Sequence, residues 1–138
     1  MSKTVTFKCL YCGEEHTSPN KYACNAKYCS QKCQMDYRSM NIINNWLSGG
    51  KIPGSKAIKN YIAQINGNKC SVCGISDWMG IAISLELEHI DGNSENNNIN
   101  NLSLICPNCH SQTSTYKGKN KGNGRHKRKL RYQNNQSY

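Results

Sequence analysis

Residues 85–113 read LELEHIDGNSENNNINNLSLICPNCHSQT. Leucine and glutamate alternate over the first four positions, and this period of two predicts a strand with one apolar and one acidic face. The strand is taken as ISLELEHI, 83–90. A loop follows, DGNSENNNINN (91–101), with Ile99 as almost its only apolar residue. Its glycine and asparagines tolerate left-handed backbone, and asparagine side chains can bond the loop's own backbone. LSLI (102–105) reads as a second short strand, and CHSQTSTYK (109–117) as a helix beginning near the last cysteine. The predicted order is strand, loop, strand, helix. Leu85 and Leu87 would face inward, so Glu86 and Glu88 share the other face and His89 stands at the strand end.

The cysteines fix the surroundings of this segment. The chain has 138 residues, 36% hydrophobic, with nine cysteines and a single phenylalanine. A large apolar core is excluded, and small domains of this composition need staples. MSKTVTFKC carries no apolar run of a secretory signal. No stretch reaches the ~18 apolar residues that span a bilayer. The expectation is therefore an intracellular protein with reduced thiols and no membrane association. Eight cysteines fall into close pairs: Cys9/Cys12, Cys29/Cys33, Cys70/Cys73 and Cys106/Cys109. Two such pairs make one tetrahedral zinc site, which predicts two structural zinc ions. Cys70, Cys73, Cys106 and Cys109 enclose the strand pair and would form one of them.

In residues 1–40, FKCLYCGEE looks like a zinc knuckle, with Gly13 supplying the backbone freedom of the turn. KYCSQKCQMDYRSM starts a short helix with Ser30 as its N-cap. The segment resembles small treble-clef zinc fingers that end in Tyr-Cys-Ser-x-x-Cys. By that resemblance Cys9, Cys12, Cys29 and Cys33 hold the zinc. Cys24 is the alternative fourth ligand and is otherwise read as a free, partly buried thiol. His16 is a further competitor, read as a solvated loop histidine.

Residues 41–69 form a helical connector of two pieces. NIINNWLSG ends at Gly49-Gly50, and SKAIKNYIAQING sets Ala57/Ile58, Tyr61/Ile62 and Ile65 at helical spacing before Gly67. Lys56 and Lys59 lie on its other face, either solvated or touching phosphate.

Charge points to the partner. The net charge is +10, and no Asp or Glu follows Glu95. Residues 117–131 hold eight of the eighteen Lys and Arg: Lys117, Lys119, Lys121, Arg125, Lys127, Arg128, Lys129 and Arg131. A block of this kind, interrupted by glycine and asparagine, reads as a tail that is flexible when unbound and binds a polyanion. The plainer reading is a solubilising tail.

The acidic strand in this basic chain has a chemical use. Glu88 and His110, the latter directly after Cys109, can converge on an open position for a divalent cation such as Mg²⁺, Mn²⁺, Ni²⁺ or Zn²⁺. His89 is then available as a base, because imidazole is the side chain that most readily accepts a proton near neutral pH. A deprotonated water would attack phosphorus while the cation stabilises charge on the leaving oxygen. Asn93, Asn96 and Asn97 are read as loop-forming. Glu86 is read as an exposed strand residue in preference to an outer acceptor, and Tyr116 as touching either DNA or the helix.

At this point the residues resemble a family. LELEHIDGNSENNNINNLSLICPNCHSQT, within about 70–121, closely resembles the HNH nuclease motif of the ββα-metal fold. The resemblance rests on the Glu-His pair, the Asp-Gly-Asn turn, the Asn-Leu step, Cys-Pro-Asn-Cys-His and the following Gln-Thr. It implies His89 as general base, Asn101 as the middle asparagine, His110 as the final histidine ligand and Glu88 as the first metal ligand. Asn101 would brace the loop and hold the His89 ring. The resemblance further implies hydrolysis of DNA phosphodiesters with one metal, leaving a 5′-phosphate and a 3′-hydroxyl. It also suggests a phage or mobile-element origin, and so the cytoplasm of a bacterial host. Glu88 departs from the pattern, because that place is more often Asp, which leaves the preferred metal open.

The architecture expected is small α+β: a treble-clef finger at 1–40, a connector at 41–69, an HNH domain at 70–121 and a basic flexible tail at 122–138. The expected partner is double-stranded DNA, bound by a monomer or a DNA-induced dimer. The rivals are a non-catalytic DNA-binding module on a nuclease-like scaffold and a zinc adaptor for protein or RNA.

Overall fold

The structure, a computed structural model, describes residues 4–19, 26–120 and 126–136. Cys24, Lys121 and Arg125 lie outside the described residues. The chain divides into two compact units, 1–51 and 52–138.

In the first unit, β1 (Thr4–Lys8) pairs antiparallel with β2 (Glu15–Pro19), with Thr4 opposite Pro19 and Lys8 opposite Glu15. The turn between them is the cysteine knuckle. The Cys9 N–H donates to the Glu14 carbonyl (2.9 Å) and the Gly13 N–H to the Cys9 carbonyl (3.0 Å). Gly13 has φ +74°, a conformation that favours glycine. The knuckle is thus the turn of the β1–β2 hairpin.

Helix α1 (Gln31–Leu47) begins at Ser30, whose Oγ accepts from the Cys33 N–H at 3.1 Å. This cap is the one expected, but the helix is longer. It runs unbroken through 40/41, where a division was expected, and absorbs the first half of the connector. No Gly or Pro interrupts residues 31–47. Gly49, at φ +89°, is the first residue able to end it, and its N–H closes on the Trp46 carbonyl at 2.9 Å.

In the second unit, α2 (Ser55–Asn66) ends at Gly67 and buries Ile58 and Ile62, one turn apart. It packs against β5 (Glu86–His89) and β6 (Leu102–Ile105). These strands pair antiparallel with Glu86 opposite Ile105 and His89 opposite Leu102. Leu85, Leu102, Leu104 and Ile105 complete the core with Cys70 and Cys106. Lys59 donates to the Leu85 carbonyl at 3.0 Å, which ties α2 to the strand rather than leaving that lysine to solvent. The knuckle at Cys70–Gly74 docks on β6 through the Ser71 N–H and the Leu104 carbonyl (2.8 Å).

A hairpin that the sequence reading lacks, β3 (Asp77–Trp78) with β4 (Ile81–Ala82), precedes β5. Its two turn residues, Met79 (φ 52°) and Gly80 (φ 78°), both have positive φ, as a tight two-residue turn requires.

Helix α3 (Pro107–Gln112) follows β6 with Pro107 in its first turn and the Cys106 sulfur as N-cap. The expected strand–loop–strand–helix order is present. One side-chain placement differs, because Glu88 is buried at 8% exposure while Leu87 is only half-buried.

The stretch read as a basic flexible tail includes a helix among its described residues. This is α4 (His126–Gln133), whose sequence HKRKLRYQ has no Gly or Pro and several good helix formers. Among the described residues no helix is long and apolar enough to cross a membrane.

Candidate active site

The antiparallel pair and α3 bring three acidic or imidazole side chains together. Glu86 and Glu88 lie two apart on β5 and so on one face, roughly 7 Å apart along the strand. His110, on α3, sits between them. Its Nε2 is 3.0 Å from Glu88 Oε2, and its Nδ1 is hydrogen-bonded to Glu86 Oε2. Glu88 and His110 therefore meet as expected. Glu86, read from sequence as an exposed strand residue in preference to an outer acceptor, is exposed and also bonds the second ring nitrogen. The signal for it was present in the i, i+2 spacing, but nothing in the sequence fixed where the His110 ring would fall.

A buried carboxylate needs compensation. Glu88 Oε1 accepts from Thr115 Oγ1 at 2.5 Å, and Thr113 Oγ1 stands 3.3 Å behind Thr115. Tyr116 meets the His110 ring edge-on at 5.0 Å, so it packs against the site residue itself. Asn120 Nδ2 donates to the Gly92 carbonyl at 2.7 Å. Residues 113–120 thus cross the end of β5 and brace Glu88. Thr115 was not singled out from the sequence, since a hydroxyl five residues beyond a histidine carries no signature.

The donor set fits a divalent cation. Ligand atoms each about 2.1 Å from one ion stand roughly 3 Å apart when they take neighbouring positions, which is the Glu88–His110 separation (3.0 Å). Glu86 supplies the carboxylate that a metal-ligating imidazole commonly holds on its other nitrogen. With the Nδ1 hydrogen given to Glu86, the neutral ring would offer its Nε2 lone pair to a cation shared with Glu88.

His89 ends β5 and opens onto the loop. Asn101 braces that loop as expected: its Nδ2 donates to Asp91 Oδ1 and to the Asn96 carbonyl (both 2.9 Å), and its Oδ1 accepts from the Asp91 N–H at 3.0 Å. It is not the partner of the His89 ring. That partner is Asn97, whose Oδ1 is 3.2 Å from His89 Nε2. Asn97 was read only as loop-forming, because in a run of asparagines the sequence does not say which amide reaches the ring. Asp91 anchors the network. The amide of Asn96, the N–H of Asn93 and the amide of Asn101 hold its carboxyl below the ordinary carboxylate range.

Each cysteine tetrad brings its ligand sulfurs within 4.8 Å of one another. Cys12–Cys29 and Cys73–Cys106 are each 3.8 Å apart, the sulfur spacing of roughly 3.8 Å expected around a tetrahedral zinc. Burial raises the Cys9 thiol, but the N–H groups of Cys12, Cys29 and Tyr11 outweigh it and bring Cys9 down to about 6. Cys70 is likewise brought to about 6, against burial, by the N–H groups of Cys73, Cys106 and Val72. The crowding has the opposite effect on later ionisations. Cys33 and then burial push Cys29 up to about 12, and Cys73 and then burial do the same to Cys109. Such a cluster is made for a dication that allows all its thiols to ionise. His16 Nε2 is 3.9 Å from both Cys12 Sγ and Glu14 Oε2, beside the first tetrad.

Lys117 lies over the Tyr116 ring at 4.9 Å, and Lys119 reaches the Ser111 carbonyl at 3.4 Å, so both border the site. Lys127, Arg128, Lys129 and Arg131 fall on α4.

Comparison with known proteins agrees with this geometry. Residues 70–115 match the family model described as HNH endonuclease. H-N-H endonuclease F-TflIV of Escherichia phage T5 is 46% identical over 79 residues, 56% of this chain and 35% of the relative. The chain therefore spans little more than a third of that relative's length. No solved structure matches.

Proposed function

We infer that this chain is a metal-dependent HNH endonuclease that hydrolyses phosphodiester bonds of double-stranded DNA. The observation that carries the reading is the pairing of Glu88 with His110 at 3.0 Å, on the strand that ends in His89. Glu88 and His110 would hold a divalent cation. Bound there, the cation supplies Lewis-acid stabilisation of charge on the phosphate oxygens.

The chain's own residues do the rest. His89 accepts a proton from a water. The water oxygen bonds to phosphorus, the bond from phosphorus to the 3′ oxygen breaks, and that oxygen leaves with the bonding pair and takes a proton from solvent water to become a hydroxyl, with a 5′-phosphate on the other fragment. Glu86 orients the His110 ring, Thr115 orients Glu88, and Asn101 holds the loop. Lys117 and Lys119 beside the site, and the basic residues of 121–131, bind phosphates.

The N-terminal unit is read as a treble-clef zinc finger, supported by two cysteines in its hairpin turn and two at the start of α1. It adds DNA affinity or site preference. Two zinc ions are structural, and one Mg²⁺, Mn²⁺, Ni²⁺ or Zn²⁺ is catalytic. The relative's phage origin supports action within a bacterial host, by a monomer or a DNA-induced dimer.

The test is incubation of supercoiled plasmid with the zinc-loaded protein and each of these cations. Cleavage that EDTA abolishes is expected. A plasmid left intact with every cation refutes the reading.

A further inference from the structure

The loop between β5 and β6 contains six asparagines, and most of them bond the loop to itself. Asn93 Oδ1 accepts from the Glu95 N–H (3.1 Å), and Asn98 Oδ1 from the Asn100 N–H (3.0 Å). Asn96 and Asn101 donate to Asp91 at 2.7 and 2.9 Å.

Asn97 is different. Its Nδ2 lies 3.3 Å from the Glu95 carbonyl and 3.5 Å from the Ser94 carbonyl, and two acceptors on one side set which way the amide points. Its Oδ1 is thereby turned to His89 Nε2, at 3.2 Å. A carboxamide oxygen can only accept, so the ring must donate. In the neutral ring Nε2 then carries the hydrogen, and Nδ1 keeps its lone pair.

We propose that Asn97 is the positioning residue of His89, selecting its Nε2–H tautomer and presenting Nδ1 as the proton acceptor. Asn101 acts one step further away. By tying Asp91 to the Asn96 carbonyl it fixes the stretch of loop that carries Asn97. The assignment rests on the reading of His89 as the base, but the tautomer can be measured without any catalysis.

The experiment uses the full chain with zinc bound, labelled with ¹⁵N. Long-range ¹H–¹⁵N spectra at alkaline pH separate the two neutral tautomers, and a His89→Gln spectrum identifies the His89 signals. Wild type is expected to show Nε2–H, Asn97→Ala a mixture, and Asn97→Asp, which keeps an accepting oxygen, Nε2–H again. In plasmid cleavage, Asn97→Ala should lower kcat by about tenfold or more with KM little changed, and Asn97→Asp should recover part of the loss.

An Nδ1–H tautomer in wild type, or a tautomer and kcat unmoved by Asn97→Ala, overturns the proposal. The wild-type spectrum decides the tautomer even if the alanine variant fails to fold. If wild type cuts no plasmid, the nuclease reading falls while the tautomer result stands by itself.

Discussion

At the scale of residues, the site is a carboxylate–imidazole–carboxylate row, Glu86–His110–Glu88, backed by the Thr115 hydroxyl. Each end of the row does something separable. Glu86→Gln keeps the shape but loses the charge behind the ring, so the affinity of the zinc-loaded protein for Mn²⁺ should fall by about 10- to 100-fold, read by calorimetry. Thr115→Val keeps the volume but leaves a buried carboxylate oxygen without its donor. It should destabilise the second unit by about 1–3 kcal/mol, read from the urea midpoint. The placement of Glu88 beside His110, and of His89 at the strand end, was legible from the sequence because each sits at a fixed offset from a strand or a cysteine pair. Glu86 and Asn97 were not, because their roles depend on the angle of a ring that only the packed structure defines.

At the scale of elements, the segment after α3 is held against the end of β5 by one close approach. Gly92 has φ +72°, and a Cβ there would lie 2.7 Å from both Thr115 Cγ2 and Asn120 Oδ1. Gly80 has nearly the same backbone (φ +78°) with nothing within 4 Å, so it separates conformational strain from collision. Gly92→Ala should destabilise more than Gly80→Ala in urea, and only Gly92→Ala should weaken Mn²⁺ binding, by displacing Thr115 from Glu88. The β5–loop–β6–α3 order was readable because the period-2 run, the asparagine loop and Pro107 each punctuate it. The β3–β4 hairpin was not, since its strands are two residues long and Trp78-Met79-Gly80-Ile81 has no alternation to read. α1 was divided in the sequence reading because Asn41, Asn44 and Asn45 obscure the helical stripe of Ile43 and Trp46.

At the scale of the whole molecule, positive charge and local negative charge have different tasks. The net charge is +10, and six of the basic residues lie within 121–131, the stretch that ends on α4. A chain ending at Asn120 should bind DNA more weakly at low salt. Its plot of log affinity against log salt should be shallower by about 0.9 for each phosphate that the removed stretch neutralises in the full chain. An unchanged slope would assign that stretch to solubility alone. In the proposed function the acidic row on β5 serves the cation and not the DNA, so its variants should leave that slope as it is.

The most direct measurement compares His89→Ala with Glu88→Ala and His110→Ala in two assays, Mn²⁺ binding and single-turnover plasmid cleavage. His89→Ala should bind Mn²⁺ as wild type does and cut at least about 100-fold more slowly, the range of a lost general base. Glu88→Ala and His110→Ala should lose both binding and cleavage. Cleavage by His89→Ala at the wild-type rate, or undiminished Mn²⁺ binding by Glu88→Ala and His110→Ala, would contradict the assignment of base and metal ligands.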